Sequence, residues 1–263
     1  VYSTHGNVYY HIWMAVLTVL MLVGMFCYFM QLDQGLSVTG MNDRVSWGLY
    51  ISNFTFLVGV AAAAVMLVLP TYILHDIDFK QAVLIGEGLA VAALVMCLAF
   101  VVADMGGPAR LWHIIPFIGV FNFPNSMLTW DVLVLNGYLF INLSIPFYIL
   151  YQRYQGKTPN PKIYIPGVII SVFWAFAIHL VTAFLYQGLQ ARPFWNNALL
   201  GPKFLASAFA AGPSLIIIAL AVIRKFTQFQ IEDKTIKKIA MVVTVAAQIN
   251  LIMLISELFK EFY

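Results

Sequence analysis

Cysteine, charge and histidine are all scarce in this chain. Two cysteines occur in 263 residues, Cys27 and Cys97, each inside an apolar run. Two isolated thiols do not make the ligand spacing of an iron–sulfur cluster or a structural zinc site, and they read as small buried apolar residues. Charged residues are 10% of the chain, with no basic patch of the kind nucleic acid requires. Of five histidines, His179 alone lies well inside an apolar run. A haem held by two histidines needs a pair at matching depth, so no haem is expected. No Gly-rich phosphate loop follows a strand, and no Ser/His/Asp arrangement, low-complexity tract or signal peptide is readable. The chain starts at Val1, not Met, and an apolar run reaches almost to Tyr263, so it reads as a piece of a longer protein.

Hydrophobic residues are abundant, at 62%, with a mean hydropathy of +0.88. Apolar runs of about 20 residues recur, the length a helix needs to cross roughly 30 Å of hydrocarbon. A transmembrane β-barrel is excluded, since its strands would alternate apolar and polar residues. The expected fold is an all-α, polytopic transmembrane bundle forming one membrane domain over residues 1–263. Spans are placed near 11–31, 46–70, 82–103, 127–151, 165–187, 203–223 and 236–259.

Seven spans put the termini on opposite sides. Lys80, Arg153, Lys157, Lys162, Arg224, Lys225, Lys234, Lys237 and Lys238 fall on the side of the N-terminus; Arg44, Arg110, Arg192, Lys203 and Lys260 fall on the other. The excess makes the N-terminal side cytoplasmic and the other side outward in a cytoplasmic membrane. In "CLAFVVADMGGPARLWHIIPF", Gly106, Gly107 and Pro108 end the third span. Residues 105–126 then fold back at the interface with Trp112, Phe117, Phe121 and Phe123, and Asn125 or Ser126 caps the next helix.

Ionisable groups inside spans are costly and mark function by default. Glu87, Asp131, His179 and Glu257 are the ones present. Asp131 and Glu257 are also readable as interfacial groups reached by water, and Glu87 and His179 as partners in helix–helix hydrogen bonds. Topology places Tyr50, Ser52, Asn53, Asp104, Asp131, Asn136, Arg192, Trp195, Asn196 and Asn197 in the outward half. Walled by Phe54, Phe56 and Trp130, such a pocket suits an amphipathic ring with two oxygens, such as a quinone: carboxylates and hydroxyls exchange protons with the oxygens, and apolar walls take the tail.

Four segments then become recognisable. "VTGMNDRVSWGLYISNFTFLVGVAAAAVML" (38–67), "GEGLAVAALVMCLAFVVADMGGPARLW" (86–112), "PNSMLTWDVLVLNGYLF" (124–140) and "ARPFWNNALLGPKFLASAFAAG" (191–212) resemble the NrfD-like membrane subunits of the polysulfide reductase family. The likeness is greatest to the membrane subunit of the Dsr transmembrane redox complex of sulfur metabolism. The resemblance implies eight to ten helices in two four-helix bundles, more than the seven spans readable here. It further implies menaquinone or ubiquinone bound near the outward face, no redox centre in the chain, and electron exchange with a ferredoxin-like iron–sulfur subunit docked outside. Further membrane and cytochrome subunits would complete a respiratory complex. The quinone site would comprise Tyr50, Asn53, Phe54, Asp104, Asp131 and Arg192, with Asp104 and Asp131 handling protons. Some relatives carry a histidine where this chain has Asp104 or Phe54. Glu87 falls where relatives place a buried acid, and Asn136, Asn142 and Ser144 are the remaining polar groups from which a proton path is built. Two rivals stand beside this reading: an ion or small-solute transporter using Glu87, Asn136 and His179 at the midplane, and a purely structural membrane anchor.

Overall fold

Hydropathy finds the part of a helix that sits in hydrocarbon, while the backbone ladder continues until something caps it. The computed structural model, which describes residues 6–73, 77–79, 82–229 and 231–263, accordingly extends most of the predicted spans. They are α1 (Val8–Gln34), α2 (Leu49–Val68), α3 (Val83–Asp104), α4 (Met127–Tyr154), α5 (Pro161–Gln187), α6 (Leu200–Phe226) and α7 (Asp233–Phe262). Asn7 starts α1 three residues before the apolar run, its side chain accepting from Tyr10 N at 3.0 Å. Asn160 does the same for Lys162 N at 3.0 Å, with Pro161 in the first turn of α5. Pro70, with no N–H to donate, falls in the widened π-helical turn Leu69–Ile73 that prolongs α2. All seven helices are long and apolar enough to cross a membrane, and no β-strand occurs among the described residues. Lys80 and two of the five histidines, His5 and His75, lie outside the described residues.

Successive helices run antiparallel. The N-terminal ends of α2, α4 and α6 therefore share one face, here called the pocket face, with the C-terminal ends of α1, α3, α5 and α7. Helix α2 is central, packed against α3, α5 and α6. Small side chains allow this: a Cβ on Gly59 would lie 3.5 Å from Ala208 Cα of α6, and Ala61, Ala62 and Ala64 are buried beside it. Helices α4 and α5 meet where the Trp174 indole covers Gly137. A Cβ there would come within 2.5 Å of the ring, whose Nε1 donates to Val134 O at 2.8 Å.

Helix α7 lies on α6 and is fastened at the face opposite the pocket. The Asp78 carboxylate accepts from Lys238 at 2.7 Å and Lys234 at 2.9 Å, and Asp78 O accepts from Thr235 Oγ1 at 2.7 Å. Hydrogen bonds first from Lys238 and then from Lys234 hold the Asp78 carboxyl below the usual carboxylate range. Helix α1 stands apart, with Gln31 its only buried side chain.

The connection at 105–126 differs in detail from expectation. It contains a 3₁₀ turn, Pro108–Ile114, and Ser126 occupies the N-cap position of α4 without a side-chain cap. The entry is held instead by Thr129 Oγ1 donating to Ser126 O at 2.7 Å and Trp130 Nε1 donating to Pro124 O at 2.9 Å. Trp112, Phe117 and Phe123 are exposed, as an interfacial segment would have them.

Candidate functional site

The first two turns of α2 divide the expected site in two. At about 100° per residue, Tyr50, Asn53 and Phe54 fall on one side of the helix, whereas Ile51 and Thr55 fall on the other. The first side faces α1 and α3. Tyr50 OH donates to Gln31 Oε1 at 2.6 Å, and Gln31 Nε2 donates to Ala103 O at 2.8 Å, so one amide ties three helices together. Tyr50 also packs on Phe100, ring centroids 6.2 Å apart. Asp104 follows Ala103, and its Oδ1 is buried without a hydrogen-bond donor.

Directly after Asp104 the chain opens. Gly106 turns with φ 68°, a left-handed conformation that glycine adopts without strain, and a Cβ there would meet Leu36 at 2.8 Å. Leu36, Met105, Gly106, Gly107 and Arg110 line an open cavity of about 480 Å³. The cavity wall thus starts at the residue after Asp104 and carries two apolar side chains and a guanidinium, while the unpaired Asp104 Oδ1 itself is buried.

The second side of α2 faces α5. Thr182 Oγ1 donates to Asp131 Oδ1 at 3.0 Å, sharing its one proton with Ile178 O at 2.8 Å. One turn along α5, Tyr186 OH meets Thr55 Oγ1. Thr55 donates its own proton to Ile51 O at 2.9 Å, so the tyrosine is the donor in this pair. Trp47 and Trp195 stack above at 5.7 Å, and the Tyr186 ring meets each edge-on at 5.1 Å. Asp131 is only 2% exposed.

Other expected residues are placed as follows. Asn53 is half-buried and donates to Leu49 O at 2.9 Å. Phe54 is fully buried, its carbonyl facing Cys97 Sγ at 3.6 Å, while Phe56 is exposed. These two rings lie about 200° apart on α2 and do not wall one pocket. Trp130 packs on Phe123 at 4.5 Å, outside both halves. Arg192 is exposed: Nη2 donates to Arg44 O at 2.6 Å and the guanidinium lies 5.8 Å from the Trp195 ring centroid. It clamps two loops and reaches neither aspartate.

The polar groups deeper in the bundle also separate. Glu87 and Asn142 are buried, Glu87 Oε2 without a partner and Asn142 Nδ2 bonded to Tyr138 O at 2.9 Å. Asn136 and Ser144 are exposed on the outer side of α4, each bonded to its own helix four residues back. The buried stripe of α4 runs through Asp131, Leu135, Tyr138 and Asn142, and residues 136 and 144 lie off it. The structure therefore brings neither of them to Glu87, nor Asn136 to His179. His179 is buried in α5, its Nδ1 at 2.7 Å from Ala175 O and its Nε2 unpartnered. A carbonyl accepts only, so Nδ1 carries the proton.

Sequence reading missed Gln31, Thr55, Thr182 and Tyr186. Gln31, in "YFMQLDQG", is the one with a signal, a neutral polar residue inside the last apolar turn before a glycine. Among the described residues no three His, Cys, Asp or Glu side chains converge as a metal ion requires.

Comparison with known proteins adds a family to this geometry. Residues 37–262 match the family described as Polysulphide reductase, NrfD. The chain is 22% identical over 236 residues to an Hdr-like menaquinol oxidoreductase integral membrane subunit of Archaeoglobus fulgidus, covering 90% of this chain and 56% of that one. It is 24% identical over 232 residues to a putative dimethyl sulfoxide reductase membrane subunit of Halobacterium salinarum, covering 82% and 52%. It is 22% identical over 285 residues to a selenate reductase subunit of Mesobacillus selenatarsenatis, covering 96% and 65%. The chain thus spans between 52% and 65% of the length of these relatives. With most of its length matched in one consistent stretch, the chain belongs to the NrfD polysulphide reductase family.

Proposed function

We propose that this chain is the quinone-reactive membrane subunit of a multi-subunit respiratory oxidoreductase, exchanging electrons between menaquinone or menaquinol and an iron–sulfur subunit on the pocket face. The observation that carries it is the Asp104 carboxylate, one oxygen of which is buried and unpaired, at the end of α3 immediately before the residues that line an open, partly apolar cavity. One relative's name specifies a menaquinol oxidoreductase, which agrees with that chemistry. Oxidation of a quinol releases two electrons and two protons, so a site for it needs proton acceptors near the ring oxygens.

Asp104 is assigned the first proton, and Tyr50, held in place by Gln31, orients a ring oxygen. Asp131 is assigned the second through Thr182, whose hydroxyl it already holds, with Tyr186 and Thr55 on the same side. Leu36 and Met105 offer apolar contact to the ring or tail, and Asn53, whose amide nitrogen is bound to Leu49 O, is kept as a ligand through its side-chain oxygen. Phe54 supports the site from the core, and Arg192 supports the loops above it. Glu87 and Asn142 are kept as members of a proton path toward the opposite face. The Lys/Arg excess on that face makes it cytoplasmic and the pocket face outward.

The testing experiment is photolabelling of the intact complex with an azido-menaquinone analogue, followed by peptide mapping. Label on residues 31–36 or 104–110, competed by menaquinone, is the expected result. Label confined to other helices, or label that menaquinone does not compete, rejects the assignment.

A further inference from the structure

Lys203 and Glu257 meet at the pocket-face end of α6 and α7, away from every residue assigned above. Lys203 Nζ donates to Glu257 Oε2. The pair has a dry end and a wet end: the Glu257 side chain is 1% exposed and that of Lys203 is 19% exposed. Glu257 Oε1 is buried with no donor, and so is Asn250 Oδ1, seven residues earlier on the same stripe of α7. Two helical turns separate those residues, about 10 Å along the axis. Two acceptor oxygens of α7 are thus buried without donors, and Lys203 reaches the carboxylate of the first from α6.

A buried carboxylate with one satisfied and one orphaned oxygen is costly, and a proton arriving on the orphaned oxygen removes the charge of the carboxylate and makes that oxygen a donor. Protonation would release the ammonium from the carboxylate but not from its other contact: Lys203 Nζ already lies 5.0 Å from the centroid of the exposed Phe194 ring, which continues to hold it. We propose that Lys203 and Glu257 form a proton port, in which Glu257 binds a proton from the water at the pocket face as Lys203 lets go of the carboxylate and stays over the Phe194 ring. The balance is one proton in from water and none from lysine, which keeps its charge and returns to Glu257 when the proton leaves.

The surroundings leave this exchange to the pair. Helix α7 packs chiefly on α6 and touches the Ile77–Phe79 turn. On α6 the other charged groups, Arg224 and Lys225, are at the far end, and Asp78 of the turn is bound there by Lys234 and Lys238. Near Glu257 on α7 itself, Lys260 and Glu261 pair with each other at 3.2 Å. Arg192, in the loop preceding α6, is engaged by Arg44 O and Trp195.

The inference does not depend on the quinone reading, and its test uses no quinone. Infrared difference spectra of the purified full chain in lipid nanodiscs, recorded between alkaline and acidic buffer, report each carboxyl group that takes up a proton. The wild type should show a buried carboxylic acid C=O band that Glu257→Gln abolishes and that Asp131→Asn and Glu87→Gln leave in place. Lys203→Met should keep the band but move its appearance to more alkaline buffer than in the wild type, because a buried carboxylate without its counter-ion holds its proton more tightly. Loss of fold does not produce both results. A Glu257→Gln difference spectrum superimposable on the wild type, or a Lys203→Met band that still titrates as in the wild type, overturns the proposal.

Discussion

Thr182 reaches across from α5 to donate to Asp131 on α4 at 3.0 Å, and both side chains are shut away from solvent. A carboxylate so placed either serves proton chemistry or is a structural acceptor for the hydroxyl. Asparagine distinguishes the two, since its Oδ1 still accepts from Thr182 while the group no longer takes up a proton. Asp131→Asn is expected to assemble normally and to lower menaquinol turnover by about 100-fold or more, in the range typical of a lost acid–base group. Wild-type turnover in the assembled variant would falsify the acid–base role.

The structural side of the same pair makes a separate prediction. Thr182→Val keeps the shape of the side chain and leaves the buried carboxylate without its donor, which costs about 1–3 kcal/mol. The variant should unfold earlier in a thermal assay in detergent, and Asp131→Asn combined with it should recover part of the loss. Equal melting temperatures for Thr182→Val and wild type would show that the hydroxyl contributes nothing there.

Much of the fold was legible because length and hydropathy suffice to find a helix that must satisfy its backbone inside lipid. Helix ends were less so: residues such as Tyr9, Pro161 and Lys162 extend the ladder past the apolar run and carry little or no hydropathy signal. The site was half legible. Glu87 and Asp131 stood out because a charge in an apolar run is rare, and both are buried. Thr55 and Tyr186 did not, because hydroxyls are common in spans and their contact joins residues 131 apart in sequence. Phe54 and Phe56 were misread together because the rotation between them was overlooked. Arg192 was expected in the quinone site but binds the backbone of Arg44, a partner that side-chain types do not reveal.

Gln31 is expected to decide whether α1 stays docked. It is the only buried side chain of that helix, and its amide joins Tyr50 to the end of α3. Gln31→Leu keeps the volume and removes both bonds, leaving the Tyr50 hydroxyl and Ala103 carbonyl unpaired. Disulfide trapping between cysteines introduced at Leu36 and Gly107 should slow markedly in the variant, and quinol affinity should fall with it. Unchanged trapping would mean that lipid packing alone positions α1.

Acid should loosen the opposite face first. The Asp78 carboxyl titrates below its ordinary value because Lys238 and Lys234 bind its charged form. A depressed folded-state value means that its contribution is present above the unfolded value of about 3.9 and is lost as pH falls through the folded one. Asp78→Asn should therefore be less stable than wild type near neutrality, and the gap should close below about pH 4. Hydrogen exchange at the start of α7 is the measurement, and a gap that persists unchanged in acid would assign the difference to something other than this carboxylate.

Orientation remains the prediction on which the direction of every proton depends. Arg224, Lys225, Lys234, Lys237 and Lys238 cluster around the α6–α7 connection, and Arg153, Lys157 and Lys162 around the α4–α5 connection, all on the face away from the cavity. Positively charged connections are retained in the cytoplasm during insertion, which leaves the cavity beside Asp104 facing outward. Gln228 is exposed within the first cluster, and Ile118 is exposed in the connection on the pocket face. In intact cells an impermeant maleimide should label Ile118→Cys and spare Gln228→Cys, with the pattern reversed in inverted vesicles. Labelling of Gln228→Cys in intact cells would turn the molecule over, and protons released at Asp104 would then enter the cytoplasm.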